Sequence, residues 1–242
     1  MRVEDCLKLY WGWPRLYNTW STKYGRWDEK PDPIERDAAA GLIESGVPAG
    51  FRQCYAENGN KCAKRDLIVF EADVKDCPAG DMACVVERAK AAVLIVLQRL
   101  REVGAHPIIW FNGGHSIYVA VRIFPVDVGK YTIKRRWIVL AARLGMDTHL
   151  LQSPNAFRNP CTPHPKSKRR GQWLDEELNP IPEPRISAWP DWNIAFFEPV
   201  AEGDVKSADG SIKSKDCDQL NPPADPQALL EILKLLWPAT AG

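Results

Sequence analysis

Glu71 and Asp73 stand one residue apart at the end of an apolar run, within DLIVFEADVKD over residues 66–76. Leu67 to Phe70 read as a short buried strand. Alternate residues of a strand share a face, so the two carboxylates point the same way. Two acids side by side at the end of a buried strand repel each other and lose hydration. A divalent cation would relieve both costs. Mg²⁺ and Mn²⁺ prefer carboxylate oxygen and water, and usually arrive with phosphates. The plain alternative is a strand end that dips into water with two solvated acids.

Other residues with chemical potential are less sharply placed. There are seven cysteines. Cys54 and Cys62 flank Asn58-Gly59, a hairpin signal, and could face each other across two strands. Cys77 and Cys84 flank a short loop. Neither pair has the spacing of a zinc site and no His lies near either. Free buried thiols are the default expectation, with disulfides or a zinc site built from these four as the alternatives. Residues 1–30 carry Tyr10, Trp11, Trp13, Tyr17, Trp20, Tyr24 and Trp27, interleaved with Arg15, Lys23 and Arg26. Such a stretch can stack single-stranded bases. It can equally be a helix packing its rings on the core.

The elements that must position these groups follow from the rest of the chain. A length of 242 residues allows one large domain or two small ones. The net charge of +1 gives no global basic field, so any nucleic-acid contact has to come from local patches. The charged, aromatic N-terminus does not resemble a signal peptide. The longest apolar run, Ala89 to Leu97, contains Lys90 and is too short to span a bilayer. A soluble, cytoplasmic protein is expected. Pro33 to Gly46 reads as a short helix. Gly50 to Glu57 and Lys64 to Asp73 read as a hairpin. Asp81 to Val103 is the clearest helix, closed by Gly104 and apolar enough in its middle to be covered on more than one side. Pro107 to Phe111 and His115 to Ile123 are strands joined by Asn112-Gly113-Gly114. Val128 to Leu144 reads as a helix, Met146 to Leu151 as a short strand bearing Asp147, and Asn193 to Phe197 as a strand. Residues 201–226 are polar, an exposed loop or linker. Gln227 to Trp237 reads as an amphipathic helix near the C-terminus, within 227–242. The βαββ order predicts an α+β sheet with helices on one face.

Three pieces of the chain, over roughly residues 50–172, together resemble the archaeo-eukaryotic primase superfamily. FEADVKD is similar to its hydrophobic strand with acid-x-acid. WFNGGHSIYVAV resembles its second motif, a glycine-containing turn followed by His and a strand. MDTHLLQSPNAFRNPCTPHPKSKRRG resembles its third region, which runs from an acid through Arg-x-Pro to His-Pro-Lys-Ser. The first acid is Glu where replicative small subunits usually have Asp. The usual Ser-Gly-x-x-Gly-His turn is here Asn112-Gly113-Gly114-His115. The family's zinc-binding insertion is not recognisable.

The resemblance implies an α/β core in which an RRM-like sheet, about residues 61–200, packs against an N-terminal αβ unit, about residues 1–60. Together these would form a catalytic domain over 1–200. It implies a template-directed nucleotidyltransferase that makes primers from NTPs or dNTPs on single-stranded DNA. Glu71, Asp73 and Asp147 would be catalytic and would hold two Mg²⁺ or Mn²⁺ ions. Asn112, Gly114, His115, Arg158, His164 and Lys166 would receive the nucleotide. Lys134, Arg135, Arg136, Lys168, Arg169 and Arg170 would follow nucleic-acid phosphates. A helicase or an accessory primase domain is a possible further partner, because no P-loop pattern occurs in this chain. Two other readings stay open: a metal-dependent nuclease, and a non-catalytic nucleic-acid-binding module.

Overall fold

The computed structural model describes residues 1–200, so the linker and the C-terminal helix expected beyond lie outside the described residues. The helices are α1 Val3–Leu7, α2 Arg36–Glu44, α3 Met82–Glu102, α4 Arg135–Arg143 and α5 His149–Gln152. The strands are β1 Tyr17–Ser21, β2 Arg26–Glu29, β3 Ala49–Arg52, β4 Cys54–Glu57, β5 Asn60–Asp73, β6 Ile108–Phe111, β7 Ser116–Asp127, β8 Tyr131–Ile133, β9 Ala156–Arg158, β10 Gln172–Leu174, β11 Pro180–Ile181 and β12 Phe197–Pro199. They form a six-stranded antiparallel sheet, β11-β10-β6-β7-β5-β4, and a four-stranded one, β2-β1-β3-β9. A small β12-β8 pair completes the set. The class is α+β, as the sequence predicts.

Strand β5 sorts its side chains by parity. Ile68, Phe70 and Ala72 face the core under α3 and α4. Leu67 and Val69 face a second core, shared with α1, α2, Phe51 and Phe157. The large sheet is therefore covered by helices on one face and by the N-terminal unit on the other. Helix α3 starts where the Asp81 side chain accepts the Cys84 N–H at 3.1 Å, an N-cap worth about 1 kcal/mol. Its buried stripe is Val85, Ala89, Val93, Val96, Leu97 and Leu100. Leu94 is exposed, so α3 is covered on one side only, contrary to expectation.

The hairpin at Asn58-Gly59 forms as expected, with positive φ at both residues, which a tight two-residue turn demands. Its first strand is shorter than predicted. Gln53, fully buried, divides Gly50–Glu57 into β3 and β4, which enter different sheets. The aromatic N-terminus is a short helix followed by the β1–β2 hairpin, in which Asn18, Thr19, Trp20 and Ser21 pair with Glu29, Asp28, Trp27 and Arg26 around a turn at Gly25, whose φ is positive. Val128–Leu144 begins as strand. Gly129 sits at φ 87°, and the aromatic and β-branched Tyr131-Thr132-Ile133 extend before α4 starts at Arg135. Asp147 makes a single β-bridge to Glu71 before α5 turns the chain away, so no strand runs over 146–151. Residues 193–195 form a 3₁₀ turn rather than strand.

All six cysteines among the described residues are paired: Cys6–Cys161, Cys54–Cys62 and Cys77–Cys84. Free thiols and a four-cysteine zinc site both give way to disulfides. Nothing local in the sequence points to Cys6–Cys161, whose partners lie 155 residues apart. It staples α1 to the segment after β9. Strand β9 itself joins the N-terminal sheet, so that unit is completed by residues far beyond position 60. Among the described residues no helix is long and apolar enough to cross a membrane.

Candidate active site

The parity that puts Leu67 and Val69 toward the N-terminal unit puts Glu71 and Asp73 there too, where the apolar cover ends. Across the ladder, Glu71 is paired with Tyr118 and Asp73 with Ser116. Antiparallel partners share a face, so four polar side chains converge. The Ser116 hydroxyl donates to Asp73 Oδ1 at 3.2 Å. Lys75 Nζ lies 3.6 Å from Asp73 Oδ2. Ser116 and Tyr118 are functional candidates that the sequence reading missed. Their strand was legible, but its register against β5 was not.

Burial pushes the Glu71 carboxyl up to about 7; hydrogen bonds from Ser116 and Tyr118 oppose this, and the charges of Asp73 and Asp147 add to it. The phenol of Tyr118 is raised well above its ordinary value, by burial first and then by the Glu71 charge. Asp147 reaches the site through its backbone. Its N–H donates to the Glu71 carbonyl at 2.9 Å. Its carboxylate is turned along its own chain, where Oδ1 accepts the His149 N–H at 2.7 Å. The three acids are thus adjacent and electrostatically coupled. Among the described residues, however, no three His, Cys, Asp or Glu side chains are gathered into a metal-holding group.

Buried Arg65 fixes the segment behind Asp147. It donates to the carbonyls of Leu150 and Leu151 at 2.8 and 3.0 Å and to Gln53 Oε1 at 2.7 Å. Burial lowers its guanidinium to about 9.

Three loops interlock beside the acids. Gly80 N–H donates to the Gly114 carbonyl at 2.9 Å, Arg169 Nη1 to the Gly80 carbonyl at 2.7 Å, and the Ser167 hydroxyl to the Gly113 carbonyl. Gly114 is glycine for a visible reason: a Cβ there would lie 2.3 Å from His164 Nε2. His164 is buried, and its Nδ1 accepts the backbone N–H groups of Lys166 and Ser167 at 3.2 and 3.1 Å. Nε2 is therefore the protonated nitrogen of the neutral ring. Burial lowers the imidazole to about 4, helped by the charges of Arg158, His115, Lys166 and Lys168. The His115 ring stands edge-on to it, with centroids 6.2 Å apart, and its buried Nδ1 has no partner among the described residues. Asn112 Oδ1 accepts the N–H groups of Gly114 and Ser116 at 2.8 and 3.2 Å, which makes it a brace for this turn.

Arg158 comes in from β9. Burial lowers its guanidinium, while Tyr118, Glu71 and Asp73 pull it back up, so it lies within electrostatic reach of the acids. Its Nη1 meets the Asn112 carbonyl at 3.5 Å. Lys166, Lys168 and Arg170 are exposed on the same loop as His164. The structure does not bring Lys134, Arg135 and Arg136 to this place. They begin α4, whose Trp137 packs on Phe70, on the reverse face of the sheet from Glu71. Lys134 Nζ and Arg136 Nη2 donate to the carbonyls of Ile194 and Ala195 at 2.6 and 3.0 Å.

No protein-family model matches the chain, and no curated protein does. The solved structures similar to it include two primase domains. The primase-polymerase AEP domain of cyanophage S-2L aligns with a TM-score of 0.47 at 17% identity, over 74% of this chain and 91% of that one. The catalytic domain of the primase Repb', in complex with initiator DNA, aligns with a TM-score of 0.44 at 12% identity, over 74% and 85%. Likeness at this level carries nothing about activity. The chemistry has to come from the residues.

Proposed function

We propose that the protein is a template-directed nucleotidyltransferase that starts primers from nucleoside triphosphates on single-stranded DNA. The observation that supports this most directly is the pairing of an acid-only centre, Glu71 and Asp73, with an adjacent cationic and imidazole rim formed by Arg158, His115 and His164. The first fits divalent cations and the second fits the phosphates they carry. Mutual repulsion of neighbouring carboxylates, only partly answered by Ser116, Tyr118 and Lys75, is what a hard cation would relieve, and the donor set contains nothing softer than oxygen. Glu71 and Asp73 would hold the ion or ions, with Asp147 as the third acid. Bound there, a divalent ion would supply charge neutralisation at the reacting phosphate.

The chain's own residues have separate tasks in this reading. Tyr118 and Ser116 orient the two carboxylates. Arg158 and Lys166 take phosphate charge. His164, neutral at pH 7, offers Nε2–H as a fixed donor, and the glycines at 113 and 114 let the Arg169 carbonyl and the His164 ring pack against the turn that carries His115. Lys168 and Arg170 would meet nucleic-acid backbone. A primer-synthesis assay on single-stranded template, with NTPs and dNTPs tested separately, checks the reading. New primers are expected with the wild type and none with Asp73→Ala. Incorporation by Asp73→Ala, or shortening of labelled DNA with Mn²⁺ and no triphosphates, would overturn it.

A further inference from the structure

The outer face of the N-terminal sheet is built, apart from Arg158, from side chains that no step above uses. Ladder pairing puts Asn18 opposite Glu29 and Gly50, Gly50 opposite Arg158, and Trp20 opposite Trp27. These residues share one face. Tyr17, Phe51 and Phe157 occupy the other, which is core. Trp20 and Trp27 meet edge-to-face at 5.6 Å and are both partly exposed. The Arg158 guanidinium lies 5.7 Å from the Trp27 ring centroid. Two buried polar atoms on this face, Asn18 Oδ1 and Arg158 Nε, have no partner among the described residues. Beyond the tryptophans, at the hairpin tip, exposed Tyr24 is flanked by Lys23 Nζ at 4.9 Å and by the Arg26 guanidinium at 5.4 Å.

The geometry points to a stacking track for the single-stranded template, with an unpaired base on Trp27 beside Arg158 and the strand running out over the hairpin toward Lys23 and Tyr24. This rests on the reading of Glu71 and Asp73 as the reacting centre, since Arg158 joins that centre to the track. Aromatic faces accept any base, and interleaved cations accept the backbone. Strands β9 to β2 span three interstrand steps, roughly 14 Å. An incoming nucleotide held at the acids would cover only the near end, whereas a strand would use the whole face, including the cation at its far end.

The test is anisotropy of a labelled single-stranded oligodeoxynucleotide in EDTA without triphosphates, so its outcome does not depend on catalysis. Trp27→Ala should weaken binding about tenfold and Trp27→Phe by no more than about threefold, as loss and retention of one stacked base require. With an oligonucleotide of abasic residues, wild type and Trp27→Ala should bind alike. In primer extension, Trp27→Ala should raise the KM for template and leave the KM for triphosphate unchanged. Equal binding of the base-containing strand by wild type and Trp27→Ala overturns the track. So does a defect confined to the triphosphate KM, or a loss of equal size on the abasic strand. If primer synthesis is absent altogether but binding in EDTA still depends on Trp27, the nucleotidyl-transfer reading fails and the track stands.

Discussion

Asp147 is held against Glu71 by a main-chain hydrogen bond of 2.9 Å, from N–H to carbonyl, rather than by any contact of their side chains. The third acid is therefore positioned by the sheet and stays next to the pair even when its carboxylate turns away. Arg65, which grips the following helix, is the side chain that holds this arrangement from behind. Replacing it by Met takes the Arg65 donors from the carbonyls of Leu150 and Leu151, of which Leu150 keeps the Gln53 Nε2 donor at 2.8 Å. A loss of about 3 kcal/mol is expected in urea unfolding, since each hydrogen bond to a buried charged group is worth about 1.5–3 kcal/mol. Incorporation should fall further than the folded fraction does, because α5 and Asp147 are released together. Full activity per folded molecule would sink this account.

The raised Glu71 carboxyl links stability to pH. Its folded value of about 7 lies above the ordinary 4.5, so between these values the folded state holds a proton that the unfolded state has lost. Its contribution is present below about 4.5 and is lost as pH rises through 7. His164 runs the other way. Its folded value of about 4 lies below 6.5, so its contribution is present above 6.5 and is lost as pH falls through 4. Thermal melts in EDTA of wild type, Glu71→Gln and His164→Asn separate the two. The wild-type-minus-Gln difference should decline between pH 5 and 8, and Mg²⁺ or Mn²⁺ should restore wild type but not Glu71→Gln at pH 8. A flat difference would show that Glu71 titrates normally.

Gly114 and His164 make a coupled pair. Gly114→Ala places a methyl 2.3 Å from Nε2 and must displace the ring. A cost of about 1–3 kcal/mol is expected from the overpacking, with triphosphate affinity reduced. In a His164→Ala background the same substitution should be nearly silent. The coupling energy of that double-mutant cycle is the measurement, and a value near zero would dissolve the pair.

Peptide mapping without reductant should find Cys6–Cys161, Cys54–Cys62 and Cys77–Cys84. Reduction should lower the Tm, with the largest share from Cys6–Cys161, which closes the longest loop; chain-entropy arguments give about 5 kcal/mol for loops beyond 100 residues. Cys6→Ala/Cys161→Ala should reproduce about half of that drop, since the two short loops contribute about 2.5 kcal/mol each on the same argument. Equal drops from all three double variants would contradict the loop-length argument.

What the sequence showed depended on how local the signal was. The acid pair, its shared face, the α3 stripe and the Asn58-Gly59 turn are written in stretches of a few residues, and all are present. The glycine turn and the His164 loop were legible as pieces, but their interlocking through Gly80, Gly113 and Ser167 was not. Ser116 and Tyr118 escaped notice because nothing local sets the register of β7 against β5. Lys134 to Arg136 read as a basic cluster, yet composition cannot say which side of a sheet a helix covers. The extended start of Val128–Leu144 was hidden by the strongly helical residues after it.

Strand β9 carries a consequence for how this chain comes into being. The N-terminal sheet takes its last strand, and α1 its staple, from residues 156–161. On a ribosome the first-made segment must therefore wait with one edge open until most of the polypeptide has emerged. Strands β5, β6 and β7 pair among themselves, with β7 in the middle, and can assemble meanwhile as the template on which the early segment later settles, while the outer edge of β6 waits in turn for β10. Expression of the first sixty residues alone would yield an unfinished edge rather than a unit.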